Sequence, residues 1–470
     1  MTLPIYLLAA FSILFFILAL RRLDLALAIT IAALPSYLLR FQLGPLPLTL
    51  LEAMILISAL AWAIAWLWPR LRQGGLADIK PAKTWVIEAG LVILISLAAV
   101  FVAGGDLGAW GIWKAYFLEP ILLLIMAVTV FKGAAGREKV LWAIVISVSA
   151  VSLLAIFQKA TGLFIANPFW QAAETRRSVS FFGYPNAVGL YLAPLSVLLL
   201  GWLAGQDWKT ASKDALKKSL IALAIAISWL AILFARSEGA IIGLGAGIFL
   251  AMVLAGRRMR LAGISLAVIS VALILSVPSL RQEAGDKLTL SDLSGSIRQQ
   301  QWKETFMMLS QDRFFLGAGL EKYQAAVAPY HQAGLFFNAD RIDNFDEKLR
   351  QDEDLRNRYW QPVEIYLYPH NIFLNFWSEL GLLGALAFSW IIIKFLFLAL
   401  LISFSLKRVE QRQRFLALGL LAAMAAIVVH GLVDVPYFKN DLSAMFWLIL
   451  ALLAGFKAEW QSKLAKGQTN

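Results

Sequence analysis

Thirteen long apolar runs constrain this chain more than any other feature of its sequence. Each is close to the length of a membrane-spanning helix, which needs about 20 apolar residues. The runs lie at 4–20, 24–39, 49–68, 86–103, 111–131, 140–158, 185–205, 219–235, 239–255, 262–278, 371–403, 415–435 and 441–457. Hydrophobic residues make up 60% of the 470, more than a soluble core requires. We therefore predict an all-α, polytopic transmembrane helical bundle of about 12–13 spans.

Basic residues are gathered in short connections between these runs, and they predict how the bundle is oriented. The basic connections alternate with connections that carry few basic residues, as the positive-inside rule requires. They contain Arg70, Arg72, Lys80 and Lys83; Lys132, Arg137 and Lys139; Lys209, Lys213, Lys217 and Lys218; Arg257, Arg258 and Arg260; and Lys407, Arg408, Arg412 and Arg414. We place them in the cytoplasm and the other connections outside. The net charge of +12 then indicates a lipid bilayer as partner and no nucleic acid.

One connection, between the tenth and eleventh runs, is far longer than the rest. It divides the chain into an N-terminal transmembrane bundle at 1–278, a periplasmic loop segment at 279–370 and C-terminal transmembrane helices at 371–470. Helical patterns at 298–304 and 339–358 predict that the loop segment is partly helical and forms a cap over the outer face. The apolar residues expected on one face of its first helix are Ile297, Trp302, Phe306 and Leu309.

Several functions are disfavoured by what the sequence lacks. The chain has no cysteine, which excludes disulfides and thiolate chemistry. His331, His370 and His430 are widely separated, so we predict no metal site. A phosphate-binding Gly-Lys loop is also missing, so ATP-driven transport is not expected, and we predict no cofactor. Arg21 and Arg22 follow the first apolar run, which predicts a retained helix and not a cleaved signal peptide.

The most specific polar pattern joins the loop segment to the eleventh apolar run. Pro369 biases Tyr368 towards an extended conformation, and Asn371 is a typical helix N-cap. His370 lies beside that helix N-terminus, whose partial positive charge favours the neutral ring, so it is a candidate base. A hydrogen-bonded histidine at a helix start is the other interpretation of this pattern.

Three arginines are predicted on the outer side: Arg177, whose pair with Arg176 runs against the positive-inside trend, Arg236 at a span end, and Arg298 in the loop segment. Arg177, Arg236 and Arg298 would suit a pyrophosphate if they converge, because arginine binds phosphoryl oxygens bidentately. The sequence does not reveal convergence. Arg236 also fits a side chain that snorkels from a helix end, or one that pairs with Glu238. Asp434, before Pro436, is interpreted as a helix end.

A glycine pattern in the ninth run indicates helix packing and not a chemical site. Gly239, Gly243 and Gly247 recur every four residues in the ninth run. This spacing of small residues favours close packing of two membrane helices. We therefore expect the ninth run to pack closely against another helix.

Five stretches carry a resemblance to a known family. They are 177–190, 235–243, 298–302 with 316–320, 369–371 with 379–384, and 430–434. They resemble the O-antigen ligase and O-antigen polymerase superfamily, multi-spanning bacterial membrane proteins that move lipid-linked glycans. The similarity covers most of the chain from about residue 170 onward. Its most specific element is Pro369-His370-Asn371 followed at the family spacing by Glu379-Leu380-Gly381.

The resemblance implies a glycosyltransferase of the bacterial cytoplasmic membrane whose active site faces the periplasm or cell exterior. Its donor would be a glycan on undecaprenyl diphosphate, and its acceptor a glycan, a lipid or a protein. Transfer would invert the anomeric centre without a metal. Ligase, polymerase and protein O-oligosaccharyltransferase share these motifs. A small-anion transporter and a non-catalytic cell-envelope scaffold are the alternatives, although the paired inverted repeats typical of transporters are not evident.

The resemblance also implies roles for individual residues. The implied catalytic residues are His370, Arg298 and Arg177. The implied substrate-binding residues are Arg236, Glu238, Asn186, Asn371, Glu379 and Trp302. One departure stands out: when Gly239-Ala240 is aligned with the family's Gly-Ala pair, Glu238 occupies the usual arginine position. Arg236 is then displaced by two residues, onto another face if the helix is continuous.

Overall fold

The computed structural model describes residues 5–43, 46–72, 83–207, 214–405 and 410–465. Lys80, Lys209, Lys213, Lys407 and Arg408 of the predicted cytoplasmic connections lie outside these residues. The helices are α1 Ile5–Arg21, α2 Leu23–Ala32, α3 Leu50–Trp62, α4 Trp68–Arg72, α5 Val86–Val102, α6 Leu107–Trp113, α7 Glu119–Val130, α8 Gly133–Thr161, α9 Pro168–Gln171, α10 Pro185–Ala204, α11 Ala215–Ala235, α12 Glu238–Ala255, α13 Arg257–Ser276, α14 Pro278–Thr289, α15 Leu293–Ser310, α16 Tyr323–Val327, α17 Phe345–Gln351, α18 Glu353–Tyr359, α19 Ile372–Ser405, α20 Gln411–Gly431 and α21 Asn440–Ala465. The strands are β1 Arg40–Leu43, β2 Leu46–Thr49, β3 Gly334–Phe336 and β4 Trp360–Pro362.

The long apolar helices coincide with the thirteen apolar runs. Within the described residues, ten helices are long and apolar enough to cross a membrane. Two of them, Leu50–Arg72 and Leu107–Val130, are α3 with α4 and α6 with α7, each pair continuous through a π-helical turn. Three shorter apolar helices, α1, α2 and α5, account for the remaining runs. The two strand pairs are short antiparallel hairpin-like contacts and form no larger sheet in this part of the chain. The predicted all-α, polytopic membrane architecture is confirmed.

Small residues bring α12 and α20 into direct contact. A Cβ atom on Gly243 would lie 2.8 Å from the Ala426 carbonyl oxygen, and one on Gly247 would lie 2.6 Å from that of Ala422. Only a residue without a side chain therefore fits at either position. The close packing predicted from the four-residue glycine spacing is confirmed, and α20 is the partner. This contact aligns the N-terminus of α12 with the C-terminus of α20.

The loop segment is partly helical, as predicted. Its first expected helix is α15, and the charged stretch forms two short helices, α17 and α18, in place of one. Of the predicted apolar face of α15, Leu309 is buried whereas Phe306 is 49% exposed, so the prediction was correct only in part. The other buried residues of this helix are Gly295, Gln301, Glu304, Thr305 and Met308. Polar contacts decide the face, since Glu304 bonds to His331 and to the backbone of Gln332. The division at 278/279 and 370/371 stays a prediction.

A break in α19 attaches this loop segment to the bundle. Gly381 has φ 77° and ψ −179° inside the helix, and a Cβ there would lie 2.1 Å from the Phe315 carbonyl oxygen. The residues of the Gly317-Ala318-Gly319 stretch fill the gap. Ala318 N–H donates to the Ser378 carbonyl over 2.6 Å, and Leu382 N–H donates to that of Phe315 over 3.1 Å. The chain after α15 is thus fixed to the helix that begins just after His370.

Candidate active site

A small cavity lies where the turn between α11 and α12 meets α14, α15 and the chain after α20. It has a volume of about 190 Å³. Its lining is Arg177, Asn186, Arg236, Glu238, Gly239, Lys287, Ser294, Arg298, His430, Val433 and Asp434. Four cationic side chains outnumber two carboxylates, so the cavity suits an anion. We call it the arginine cavity; it brings together the three arginines singled out from the sequence.

Arg177 is held by the backbone at the end of α11. Its Nε donates to the Ala235 carbonyl over 2.9 Å, and its Nη2 donates to the Arg236 carbonyl over 3.0 Å and to Asn186 Oδ1 over 3.3 Å. These carbonyls lie at a helix C-terminus, which attracts a cation. A guanidinium group has five N–H donors, so Nη1 is left for a ligand.

The turn between α11 and α12 resolves the placement of Arg236 and Glu238. Arg236 has φ 50° and ends α11, and Glu238 starts α12 after Ser237, so the helix is not continuous. Both side chains line the arginine cavity despite their two-residue separation. Glu238 forms an ion pair with Lys287 Nζ at 2.6 Å, not with Arg236. Arg236 makes no side-chain hydrogen bond or ion pair with the described residues.

Arg298 projects from α15 into the same cavity. Its Nε donates to the Val433 carbonyl over 2.9 Å, and its Nη1 donates to Ser294 Oγ over 2.7 Å. The first bond ties α15 to the chain that follows α20, and the second is one helical turn back along α15. Both Nη2 donors remain for a ligand. Arg298 is therefore oriented by the protein while keeping the paired donors that an oxyanion requires.

A larger cavity of about 660 Å³ adjoins the arginine cavity, and we call it the central cavity. Asn186 and Asp434 line both cavities, and their side chains are joined by a bond of 3.3 Å from Asn186 Nδ2 to Asp434 Oδ2. The central cavity is also lined by His370, Tyr366, Tyr184, Lys439, Arg40 and Glu364. Its volume is within the range of roughly 300–1,000 Å³ typical of small-molecule sites.

His370 is placed as a neutral base at the wall of the central cavity. Its Nδ1 lies 2.8 Å from Gln301 Oε1, and its ring packs edge-on against Tyr366 at 5.0 Å. An amide oxygen only accepts hydrogen bonds, so Nδ1 carries the proton and Nε2 keeps its lone pair. Burial lowers the pKa of His370 below its usual value, and Arg298 lowers it further against the opposing charge of Asp434.

The backbone at His370 is strained. Its φ is 45°, a left-handed conformation that costs an L-residue about 1–2 kcal/mol. Asn371 follows as the predicted N-cap: its Oδ1 accepts from Phe373 N and Leu374 N at 3.0 and 3.1 Å. Asn371 Nδ2 donates to the Leu432 carbonyl over 3.0 Å. Asn371 thus anchors the turn that presents His370, and it lines neither cavity.

Glu379 and Trp302 lie away from the two cavities. Glu379 lines a third cavity of about 580 Å³, and its Oε2 accepts the Glu321 N–H over 2.8 Å. Tyr116, Gln324 and Tyr368 line both this cavity and the central one. Trp302 lines none of the three, and its Nε1 is buried without a hydrogen-bond partner among the described residues.

Sequence reasoning missed several residues of the site. Asp434, taken for a simple helix end, is the carboxylate shared by both cavities, and its Oδ2 lies 3.9 Å from His430 Nε2. Lys287 had no distinguishing pattern, because mixed charge is ordinary in a long loop, and Gln301 lay within the 298–302 stretch without being singled out. The sequence signal that could have indicated Asp434 was its four-residue spacing from His430 at a span end. Within the described chain, no three His, Asp or Glu side chains are grouped to hold a metal.

Comparison with models of known protein families gives a match over part of the chain. The O-antigen ligase family model matches residues 223–389, which include Arg236, Arg298 and His370 but neither Arg177 nor Asp434. No curated protein matches the chain. The matched region contains the turn after α11, the first helices of the loop segment and the His-Asn start of α19. This match to residues 223–389 supports the resemblance to the O-antigen ligase and polymerase superfamily that the sequence motifs indicated.

Proposed function

We propose that this protein transfers a glycan from undecaprenyl diphosphate to a hydroxyl group of a glycan, lipid or protein acceptor, at the periplasmic or outer face of the bacterial cytoplasmic membrane. One observation carries the proposal: the arginine cavity meets the central cavity, which His370 lines, at Asn186 and Asp434. An anion-binding site and a base thus lie on the two sides of the boundary between these cavities. Transfer from a diphosphate needs positive charge at the leaving group and a base at the acceptor.

The donor diphosphate would occupy the arginine cavity. Arg298 Nη2 and the Arg236 side chain have N–H donors that the protein does not use, and they would bind the phosphoryl oxygens. Arg177 would stabilise the same charge through Nη1 while its other donors fix the turn that carries Arg236. Lys287, held by Glu238 and Asp292, adds positive charge at the rim. These side chains would supply the leaving-group electrostatics without a metal.

The acceptor would occupy the central cavity. Its hydroxyl oxygen attacks the anomeric carbon from the face opposite the diphosphate, and the configuration inverts. As the new C–O bond forms, the bond to phosphate breaks, and its electron pair leaves with the diphosphate. The hydroxyl proton passes to His370 Nε2, and the negative charge of Asp434 stabilises the resulting imidazolium.

Replacement of His370 or Arg298 tests the proposal. Either change to alanine should lower the transfer rate by a factor on the order of 10²–10³, since each removes one contact made to developing charge. The measurement is transfer of labelled glycan from undecaprenyl diphosphate by purified protein in liposomes that contain a membrane extract as acceptor source. Lys303→Ala, an exposed position on α15 that lines none of these cavities, is the control. Near wild-type transfer by both test variants would refute the assignment.

A further inference from the structure

Lys439 is a half-buried cation in the central cavity, and its role is not accounted for by the transfer chemistry. Its ammonium nitrogen lies 3.8 Å from the centroid of the Tyr184 ring. Among the described residues it has no hydrogen-bond acceptor and no ion-pair partner. By contrast, Lys287 and Lys394 each pair with a carboxylate at 2.6 Å. The ammonium group of Lys439 therefore lacks a direct counter-charge from the described residues, and the cavity leaves room for one from a ligand.

The backbone and ring around Lys439 hold it in place. Lys439 N–H donates to the Tyr437 carbonyl over 2.7 Å, and the hydroxyl of Tyr368 donates to the neighbouring Phe438 carbonyl over 3.0 Å. The Tyr184 ring fixes the far end of the side chain through a cation–π contact. Lys439 is therefore a preorganised charge and not a mobile surface lysine.

A second cation, Arg40, lines the central cavity together with Lys439. The Arg40 side chain makes no hydrogen bond or ion pair with the described residues. Neither cation lines the arginine cavity. Asp434 lies on the boundary between the two cavities, where its negative charge would oppose extension of a diphosphate from one into the other. The two cations therefore lie outside the cavity assigned to the donor diphosphate.

The charges near Lys439 are consistent with a site for an anionic ligand. Burial lowers the pKa of Lys439 to about 8, while Asp441 and Asp434 act in the opposite direction. The positive charge is therefore only partly compensated by the protein. A bound oxyanion would raise that pKa again and stabilise the charged form.

We propose that Lys439, with Arg40, forms an oxyanion subsite in the central cavity that binds an acceptor carrying a phosphate or carboxylate group. The inference rests on the proposed function, because it assigns the central cavity to the acceptor. It narrows the acceptor class to anionic sugars or glycolipids. Phosphate and carboxylate share the required chemistry, and the test below separates them.

The test is protection of Lys439 from acetylation. Full-length protein in phosphatidylcholine nanodiscs is treated with trace acetic anhydride at pH 7.5, and modification of Lys439 relative to exposed Lys303 is measured by mass spectrometry. The added compounds are methyl glucoside 6-phosphate, methyl glucuronide and uncharged methyl glucoside. An anionic sugar at ten times its dissociation constant should lower Lys439 acetylation roughly tenfold. The uncharged sugar should leave it unchanged, and whichever anionic sugar protects identifies the anion.

Variants and a second nanodisc lipid distinguish the proposed subsite from other causes of Lys439 protection. Protection of Lys439 from acetylation should persist in Arg298→Ala. Lys439→Arg should support transfer, whereas Lys439→Gln should raise the acceptor KM by roughly tenfold or more. Equal protection by the uncharged sugar, loss of protection in Arg298→Ala, or no protection by either anion would overturn the proposal. Protection of Lys439 in phosphatidylglycerol nanodiscs without any added sugar would also overturn the proposal, because it would indicate a phospholipid site. If the wild-type protein transfers glycan but Lys439 is not protected, only the oxyanion subsite is refuted. If Lys439 is protected but no glycan is transferred, only the proposed transferase activity is refuted.

Discussion

His370 depends on its neighbours for the properties of a base. Gln301 selects the tautomer, burial and Arg298 keep the ring neutral, and Asp434 stabilises the protonated form. These groups come from α15 and from the chain after α20, far from residue 370 in sequence. The identity of the base was predictable from the His-Asn pattern, whereas the groups that tune it were not.

The charge of Asp434 gives a pH prediction. The pKa of His370 is lowered, so the neutral base persists below pH 6.5 and transfer should fall only as the pH drops through that lowered value. Asp434 acts against this shift, so Asp434→Asn should lower the pKa further. We expect the acid limb of the kcat/KM profile to move to lower pH, with a reduced plateau because the imidazolium loses its counter-charge.

The matched control for this profile is Asp343→Asn, an exposed carboxylate of the loop segment that lines none of the three cavities. It should leave both the limb and the plateau in place. An acid limb that stays fixed or moves to higher pH in Asp434→Asn would show that Asp434 does not act on the titrating base.

The arginines illustrate what residue patterns can and cannot predict. The sequence singled out Arg177 by its unexpected outer position, Arg236 as a charge at a span end, and Arg298 as a guanidinium of the outer loop segment. Their convergence depends on three separate connections meeting at one end of the bundle, which no local pattern encodes. Asp434 was not singled out from the sequence, because a carboxylate near a proline at a span end is readily explained as a helix end. Its contact with Asn186, at 3.3 Å, is visible only in the structure.

At the level of elements, a single helix break changes the interpretation of a motif. Glu238 stands where the family has arginine, and a continuous helix would have turned Arg236 away. The left-handed conformation of Arg236 ends α11 instead, so both residues face one cavity. The end of one apolar run at residue 235 and the start of the next at 239 predicted the break, but no local pattern predicted that both side chains would reach one cavity. Contacts from Arg177 to the carbonyls at the end of α11 stabilise the break.

The packing of α12 on α20 gives a stability prediction. Gly247→Ala would place a Cβ 2.6 Å from the Ala422 carbonyl oxygen, so the two helices must separate. Overpacking of this kind costs typically about 1–3 kcal/mol. We expect a lower thermal unfolding midpoint in detergent, measured by tryptophan fluorescence. Gly245→Ala, on the same helix with no atom within 4 Å, should not lower the midpoint; equal loss in both variants would contradict direct α12–α20 contact.

On the scale of the whole molecule, the bundle has two chemically distinct ends. One end carries the arginine cavity, to which the connections around Arg177, Arg236, Arg298 and Asp434 all contribute. The other end is joined by ion pairs between basic and acidic residues, including Arg137 with Glu459 at 2.5 Å. The apolar periodicity of each span predicted the bundle, because burial in lipid is a local property of sequence. The site depends on which connections meet, and this is a property of the assembled fold.

The two ends predict opposite accessibility across the membrane. Since the chain contains no cysteine, single cysteines can be placed without background. Ser291→Cys, exposed beside the arginine cavity, should react with a membrane-impermeant maleimide in intact spheroplasts. Ala135→Cys, exposed in the first turn of α8 at the other end, should react only after permeabilisation. The physical reason is the basic residues around α8, which the positive-inside rule retains in the cytoplasm.

Labelling of permeabilised cells provides the control, since both cysteines should then react to similar extents. The reverse pattern would put the arginine cavity in the cytoplasm, where an exported polyprenyl-linked glycan is not presented, and the proposed reaction could not occur there. Equal labelling of both positions in intact spheroplasts would mean that they share one side. That result would require an even number of crossings between residues 135 and 291, whereas α8, α10, α11, α12 and α13 give five. Orientation therefore tests the span assignment and the location of the chemistry in one measurement.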